Sequence, residues 1–392
     1  MIDAISNESS TNSLFSMKPM RTTSSLDMSL HDEMGSGSYL SLASLRNSIR
    51  EKEMEERSRD KFIVILVGLP ASGKSTISSH MIQSLKNDAT TSYLRSTVYN
   101  AGKMRRMLCN GQKKSLELAK DPSEDLFNPA NADRKEVYAR ITLENLIQEL
   151  DSDICDFAIF DATNSTVERR SFVFKEIYTY NEKPGAKYNL NPIVLQVTCS
   201  EEDFVRYNIH NKTFNEDYFD KPYEVAVQDF SKRLKYYHSQ FVPFTHKEFD
   251  DILEANTNCA RGKPTLYYYN VINAGLVNTE SLNKSHVRNN TTQSPIVRNT
   301  LDVIENFIEN YASQYGFSYI NRVRQFFDDS VKGLPQIAQN SAMITASFIP
   351  SKLSIWEQSN KLRHTTLLKK IVNKDYFSDL SSYSKKFNEM AF

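Results

Sequence analysis

The sequence predicts an α/β fold, a mainly parallel sheet held between helices in three layers, and three observations predict it. The apolar run Phe62-Ile63-Val64-Ile65-Leu66-Val67 leads directly into a glycine-bounded loop, after which Thr76-Ile77-Ser78-Ser79-His80-Met81-Ile82 opens a helix. Strand-like runs recur at 93–99, 155–160, 193–198 and 266–272, with helical periodicity near 75–86, 133–150, 166–178, 201–210, 223–240 and 299–315. Strands that alternate with crossover helices build a parallel sheet covered on both faces. The third observation is core material: 40% of the 392 residues are hydrophobic, with 22 Phe and 20 Tyr, enough to fill two helix–sheet interfaces.

In chain order, residues 1–38 are rich in Ser, Thr, Met and Gly without a sustained apolar period, so a disordered tail is expected. Its hydroxyl density makes it a candidate substrate for protein kinases. Residues 39–60 read as a polar, charge-dense lead-in helix, and 61–330 as the main domain. Within that domain, 110–131 breaks the rhythm as a loop-like excursion, placed where a substrate lid would sit above the carboxyl ends of the strands. In the helix at 299–315, Leu301, Ile304, Ile308, Tyr311 and Tyr315 share one face, and 275–298 before it reads as a polar loop. Residues 331–392 form a Ser- and Lys-rich extension with weak helical stretches near Trp356 and from Leu367 to Val372.

Composition excludes several classes. Lysines and arginines (48) balance aspartates and glutamates (48), so no broad basic field for nucleic acid is present. Cys109, Cys155, Cys199 and Cys259 are far apart and form no C-x-x-C pair, which argues against a disulfide framework or a zinc site. The N-terminus lacks an apolar signal core, and no run of about 18 apolar residues occurs, so the expectation is a cytoplasmic protein without a membrane partner.

The chemistry begins at Gly68-Leu69-Pro70-Ala71-Ser72-Gly73-Lys74-Ser75, which fits G-x-x-x-x-G-K-[ST] at every fixed position. The fold class is therefore refined to the P-loop nucleoside-triphosphate hydrolase-like type. Glycines let successive N–H groups turn inward onto phosphate oxygens, and the helix start at Ser75-Thr76 adds a favourable dipole. Lys74 is expected to reach the β- and γ-phosphates of ATP, and Ser75 to ligate Mg²⁺. A partner carboxylate is needed beside that loop. Asp161, closing the strand Cys155 to Phe160, emerges on the same sheet edge and is the candidate for the Mg²⁺ shell or the acceptor's proton. It also suits a helix N-cap ahead of Val167-Glu168-Arg169-Arg170.

No N-K-x-D follows the loop, which disfavours a guanine-specific switch. The pairs Arg105-Arg106, Arg169-Arg170 and Lys232-Arg233 are each compatible with solvated faces. Together near a nucleotide site they suggest a second anion, because guanidinium forks match phosphate.

These segments resemble one family. Gly68 to Ser75, Asn100-Ala101-Gly102-Lys103-Met104-Arg105-Arg106, and Phe160-Asp161-Ala162-Thr163-Asn164-Ser165-Thr166-Val167-Glu168-Arg169-Arg170 resemble the kinase half of the 6-phosphofructo-2-kinase family. So do Asn208-Ile209-His210-Asn211-Lys212 with Asp217-Tyr218, and Asp229 to Tyr237, all in the family's order between about 61 and 330. The Ser-rich tail is like that of fungal members that carry the kinase alone. The resemblance implies transfer of phosphate from ATP to fructose 6-phosphate, giving fructose 2,6-bisphosphate. It implies Asp161 as the active-site carboxylate, Arg105, Thr163, Arg169, Lys212, Arg233 and Tyr237 around fructose 6-phosphate, and Asn208 by the nucleotide. With Lys74 and Mg²⁺, Lys212 would neutralise the migrating group. Cys199 matches a cysteine that the family places in its active site, although a small core hydrophobe at a strand end fits as well.

Departures accompany the likeness. Val167 stands where relatives carry a basic residue, the Asn208–Lys212 interval is a residue shorter, and a further family arginine falls on Arg134, Lys135 or Arg140. Bifunctional relatives continue into a phosphatase with Arg-His-Gly. Here Arg363-His364 is followed by Thr365, so kinase activity without bisphosphatase activity is the expectation. Two other readings stay open: a P-loop kinase of another small molecule or a nucleic-acid end, and an inactive regulatory protein that binds nucleotide. A homodimer is also open.

Overall fold

The computed structural model describes residues 59–113, 132–219, 221–256, 265–276, 294–327 and 363–370. The expected tail at 1–38, all but the end of the lead-in at 39–60, and most of the excursion at 110–131 lie outside the described residues. So do most of the loop at 275–298, the Cys109 side chain, Cys259, and the C-terminal extension other than 363–370.

The chain runs β1 (Asp60–Val67), α1 (Lys74–Asn87), β2 (Ser96–Asn100), α2 (Ala101–Lys113), α3 (Ala132–Asp151) and β3 (Phe157–Asp161). It continues through α4 (Val167–Glu182), β4 (Asn189–Thr198), α5 (Glu202–Lys212), α6 (Tyr223–Gln240), α7 (His246–Ala255) and β5 (Tyr267–Ile272). Helices α8 (Pro295–Glu309) and α9 (Phe317–Phe327) follow, with a π turn at Ala312–Gly316 between them. The five strands form one sheet in the order β2-β3-β1-β4-β5, every pairing parallel. This is the expected α/β architecture with a P-loop kinase fold.

Strand periodicity sorts the core into two layers. Ile63, Ile65, Val67, Ala158, Phe160 and Val194 face a cluster completed by α3, α4 and α7 (Leu143, Val173, Ile252). Their neighbours Phe62, Val64, Leu66, Ile159, Ile193 and Leu195 face α1 and α8 (Ile77, Met81, Ile304, Phe307). Successive strand residues point to opposite faces, so a strand buried on both sides must be apolar at nearly every position, as β1 is. A third cluster lies past the carboxyl ends of the strands, where Leu69 and Ala71 of the phosphate loop meet α5, α6, α9 and Leu368. It supports the platform on which the site is built. No helix among the described residues is long and apolar enough to cross a membrane.

Boundaries moved where side chains override periodicity. The second strand starts at Ser96, not at 93, because Arg95 is committed to Asp156, donating from its backbone N–H (3.1 Å), Nε (2.8 Å) and Nη2 (2.7 Å). The helix expected at 299–315 begins earlier, at Pro295 after Ser294, and ends at Glu309. Proline at a first helical position has φ preset and no N–H to leave orphaned. Helices α2, α7 and α9 were not expected. Of these, α7 carried a readable start: Thr245 accepts the Glu248 N–H at 3.2 Å, the capping half of a T-x-x-E box.

Candidate active site

The donor wall is built from backbone. Gly68 leaves β1 with φ 152°, and a Cβ there would stand 2.4 Å from the Val197 carbonyl oxygen, so only glycine fits against β4. Gly73, at φ 99°, is the N-cap of α1, and Ala71 is also left-handed at φ 63°. These torsions curl Leu69, Pro70, Ala71 and Ser72 around the open N-terminus of α1, an arrangement of N–H groups suited to anions. The loop is tied down from two sides. The Gly68 N–H donates to the Thr163 carbonyl (3.1 Å), and Asn208 Nδ2 on α5 donates to the Ala71 carbonyl (2.8 Å). The Asn208 amide is itself oriented by Tyr319 of α9, whose hydroxyl donates to Asn208 Oδ1 at 3.0 Å.

Lys74 is buried, and its Nζ donates back to the Gly68 (2.8 Å) and Leu69 (2.6 Å) carbonyls. Burial lowers its ammonium from the ordinary lysine value to about 7. Asp161 opposes that shift, and Lys212 and Arg233 reinforce it. A phosphate arriving in the loop would supply the anion that this ammonium lacks. Ser75 and Thr76 are exposed at the start of α1.

Asp161 is the last residue of β3, in register with Asn100 at the end of β2. Its Oδ2 accepts from Ser75 Oγ (2.8 Å) and Asn100 Nδ2 (2.6 Å). Asn100 also caps α2, its Oδ1 accepting the Lys103 N–H at 2.8 Å. One residue thus fixes both the carboxylate and the helix that carries Arg105. The Ser75 hydroxyl and Asp161 carboxylate are adjacent hard oxygen donors, which fits Mg²⁺. No group of three or more His, Cys, Asp or Glu able to hold a metal exists among the described residues. A site of two protein oxygens suits an ion that keeps its waters and shares substrate phosphates.

Facing the phosphate loop across a cavity of about 790 Å³ is a second wall of side chains. Arg105 and Arg106 come from α2, Thr163 and Arg169 from the segment after β3, Lys212 from the last turn of α5, and Arg233, Tyr236 and Tyr237 from α6. All line the same cavity as Lys74, Ser75, Asp161 and Asn208. Arg169 Nε donates to Glu136 of α3 at 2.7 Å. Arg105 Nη2 reaches Asp217 Oδ1 at 2.6 Å. Glu136, Tyr138 and Glu216 also line the cavity and were missed in the sequence, while Asn100 and Asp217 line it too and stood there only as motif residues without a role. The Asp217-Tyr218 dipeptide stood in the motif that carries the family likeness, but which arginine it would meet is not written in spacing.

The structure bears on three readings that the sequence left open. Cys199 lies outside this cavity, in a separate small pocket with Leu69, Pro70 and Val205 behind the phosphate loop. Burial pushes its thiol up to about 12, which keeps it neutral, and its surroundings are those of a core residue, not a reactive thiolate. The Arg169-Arg170 pair divides. Arg170 is fully buried, its Nε and Nη2 forked onto Glu248 (2.7 and 2.6 Å) and its Nη1 on the Asn164 and Val242 carbonyls (2.9 Å each). Of the three α3 candidates, Arg140 is exposed with its guanidinium 5.0 Å from the Phe172 ring centroid, away from the cavity. The side chains of Arg134 and Lys135 lie outside the described residues.

Comparison with known proteins bears on this arrangement. The sequence shares 32% identity over 197 residues with 6-phosphofructo-2-kinase 1 of Saccharomyces cerevisiae, covering 50% of this chain and 22% of that protein. It shares 26% identity over 315 residues with 6-phosphofructo-2-kinase/fructose-2,6-bisphosphatase of Caenorhabditis elegans, covering 78% and 61% respectively. This chain therefore spans less than two thirds of the length of these relatives. A solved fungal RNA kinase aligns at a TM-score of 0.32 and 14% identity, over 71% of this chain and 99% of the other. The sequence pattern of 6-phosphofructo-2-kinase matches residues 49–287, more than half of the chain and every residue that lines the cavity, so the chain belongs to the 6-phosphofructo-2-kinase family.

Proposed function

We propose that the chain transfers the γ-phosphoryl group of ATP to the 2-hydroxyl of fructose 6-phosphate, producing fructose 2,6-bisphosphate and ADP. The observation that carries this reading is the shared cavity. A phosphate loop with its Ser75–Asp161 oxygen pair opens onto the same space as Arg105, Arg169, Lys212 and Arg233, a set of cations larger than a nucleotide alone requires. A second phosphorylated molecule accounts for them, and family membership supplies its class.

Phosphoryl transfer is mostly positioning and charge stabilisation. The loop from Gly68 to Thr76 holds the triphosphate, chiefly through N–H groups between Ala71 and Ser75, and Lys74 turns from the loop carbonyls to the β- and γ-phosphates. Asn208 fixes the loop through Ala71 and lies at the nucleotide side. Ser75 and Asp161 would hold Mg²⁺, which would supply charge neutralisation on the phosphates. Lys212 lines the same cavity as Lys74, and the two side chains are assigned to neutralising the migrating group. The guanidiniums of Arg105, Arg169 and Arg233 hold the 6-phosphate, and Thr163 and Tyr237 hydrogen-bond the sugar. The 2-hydroxyl of the sugar is anomeric and more acidic than an ordinary alcohol, so a weak base suffices for its proton. Asp161, already accepting two hydrogen bonds at Oδ2, serves mainly to order the cation shell.

The test is incubation of purified protein with Mg-ATP and fructose 6-phosphate. ADP should form only with both substrates present, and the product should release one phosphate in mild acid, as anomeric phosphates do. ATP turnover indifferent to fructose 6-phosphate, or an acid-stable product, overturns the proposal.

A further inference from the structure

The acceptor wall poses a physical problem that the proposed function does not solve. Arg105, Arg106 and Arg233 come from two helices and converge on one region of the cavity, where like charges repel. One carboxylate meets all three. Asp217 Oδ1 accepts from Arg105 Nη2 at 2.6 Å, while its Oδ2 lies 3.7 Å from Arg106 Nη1 and 3.9 Å from Arg233 Nη1. The neighbouring Glu216 adds an ion pair to Arg106 Nε at 3.0 Å, from a far more exposed position.

Asp217 is itself held in place. Asn215 Oδ1 accepts the Asp217 N–H (2.9 Å), and the Asn215 carbonyl accepts the Tyr218 N–H (3.0 Å), which closes the turn after α5. Tyr218 is buried, and its hydroxyl donates to Asp229 Oδ2 at 2.7 Å. Asp229 and Arg233 are one helical turn apart on α6, on the same face. Adjacent residues of one turn therefore grip α6 at two points, Tyr218 at Asp229 and Asp217 at Arg233, while Asp217 also reaches across to α2. The side chains of Asp217 and Arg105 are 15% and 13% exposed, so solvent screens this network only weakly.

We infer that Asp217 is a positioning residue for the phosphorylated acceptor, holding Arg105, Arg106 and Arg233 in the convergent arrangement that binds the acceptor's phosphate. The inference rests on the function proposed above. Asp217 acts through the guanidiniums and not on the phosphate: it bonds Arg105 directly and lies within ion-pair range of Arg106 and Arg233.

The experiment compares wild type with Asp217→Asn and Asp217→Ala. It measures KM for fructose 6-phosphate, kcat, the dissociation constant for Mg-ATP, and the melting temperature. Loss of the charge-assisted contacts should raise KM for fructose 6-phosphate by about tenfold in Asp217→Asn and more in Asp217→Ala. The melting temperature should fall modestly, since three arginines lose their counter-ion, but affinity for Mg-ATP should stay near the wild-type value, and Asp217→Glu should recover part of the KM loss. An unchanged or lowered KM for fructose 6-phosphate in Asp217→Asn overturns the inference, the second because the carboxylate would then merely compete with the ligand. A parallel weakening of Mg-ATP, or a fall in melting temperature with no selective KM effect, also overturns it and assigns Asp217 to the fold alone. Wild-type protein without turnover on fructose 6-phosphate overturns the proposed function and this inference together; turnover with an unchanged KM in the variants overturns this inference only.

Discussion

The two walls of the cavity are made by different means. On the donor side, eight consecutive residues from Gly68 to Ser75 take their shape from φ/ψ values and from the end of β1, so the geometry is nearly a property of the backbone. On the acceptor side, the shape belongs to side chains distant in sequence: Arg105 and Asp217 are 112 residues apart and meet only through an ion pair. A backbone cradle tolerates change at most positions and fails at a few. An ion-pair network depends on the charge of every partner and weakens with salt. Neighbouring arginines show the same division on a smaller scale. Arg169 faces the cavity beside a half-exposed Glu136, and Arg170 is sealed in the core against Glu248.

That neighbouring pair gives the largest expected effect. Arg170→Ala leaves Glu248 buried without a counter-ion and deprives the Asn164 and Val242 carbonyls of their donor. Breaking one partner of a buried pair costs about 3–5 kcal/mol. Arg169→Ala should change stability by no more than about 1 kcal/mol, since its partner is largely in solvent. It should instead raise KM for fructose 6-phosphate. Urea unfolding of both variants checks the contrast, and equal destabilisation would erase the distinction drawn between strut and ligand.

Next in size is Lys74→Met. Removing a preorganised cation aimed at developing charge lowers kcat by about 10²–10³-fold. The fold should not suffer, because the side chain removed is a buried amine whose burial opposes its own charge. Single-turnover kinetics with a melting curve on the same sample reads both. Undiminished turnover would detach the phosphate loop from the chemistry.

The difference between the walls also explains what the sequence made legible. The sheet could be read because a strand buried on both faces has to be a continuous apolar run. The donor loop could be read because Gly68 and Gly73 occupy torsions or clearances that other residues resist. Asp161 could be read because a parallel sheet brings its strand ends to one edge. Helix α2 escaped although Asn100 marks its start: Met104, Met107 and Leu108 recur at helical spacing, but over little more than one turn, and Met107 and Leu108 are exposed instead of joining the core. Helix α9 escaped because a π turn separates it from α8, with Gly316 pressed so close to Ala274 that a Cβ would lie 2.4 Å from its carbonyl oxygen. The Asp217 contacts escaped for a deeper reason: no local pattern encodes which of several arginines a carboxylate will meet across the fold. Cys199 carried two readings in the sequence, and its buried, apolar setting favours that of a core residue.

The smallest expected effect, at most one proton, probes the donor wall most directly. Lys74 is lowered to about 7 in the folded protein, against 10.5 for a lysine in the open chain. Between those values Lys74 binds more protons in the unfolded chain than in the native one, so its own contribution to the free energy of unfolding rises with pH through that window and is lowest below it. Lys74→Met should flatten that slope. A triphosphate in the loop favours the charged ammonium, so nucleotide binding above pH 7 must draw a proton from solvent. Calorimetry of Mg-ATP binding at pH 8, run in two buffers of different ionisation enthalpy, measures that uptake; it should approach one proton in the wild type and fall in Lys74→Met. Zero uptake in the wild type would mean that Lys74 is already charged in the free loop. Its bonds to the Gly68 and Leu69 carbonyls would then be those of an ammonium fully stabilised by backbone, and the donor wall would owe its affinity for phosphate to the N–H cradle and not to a cation waiting for its anion.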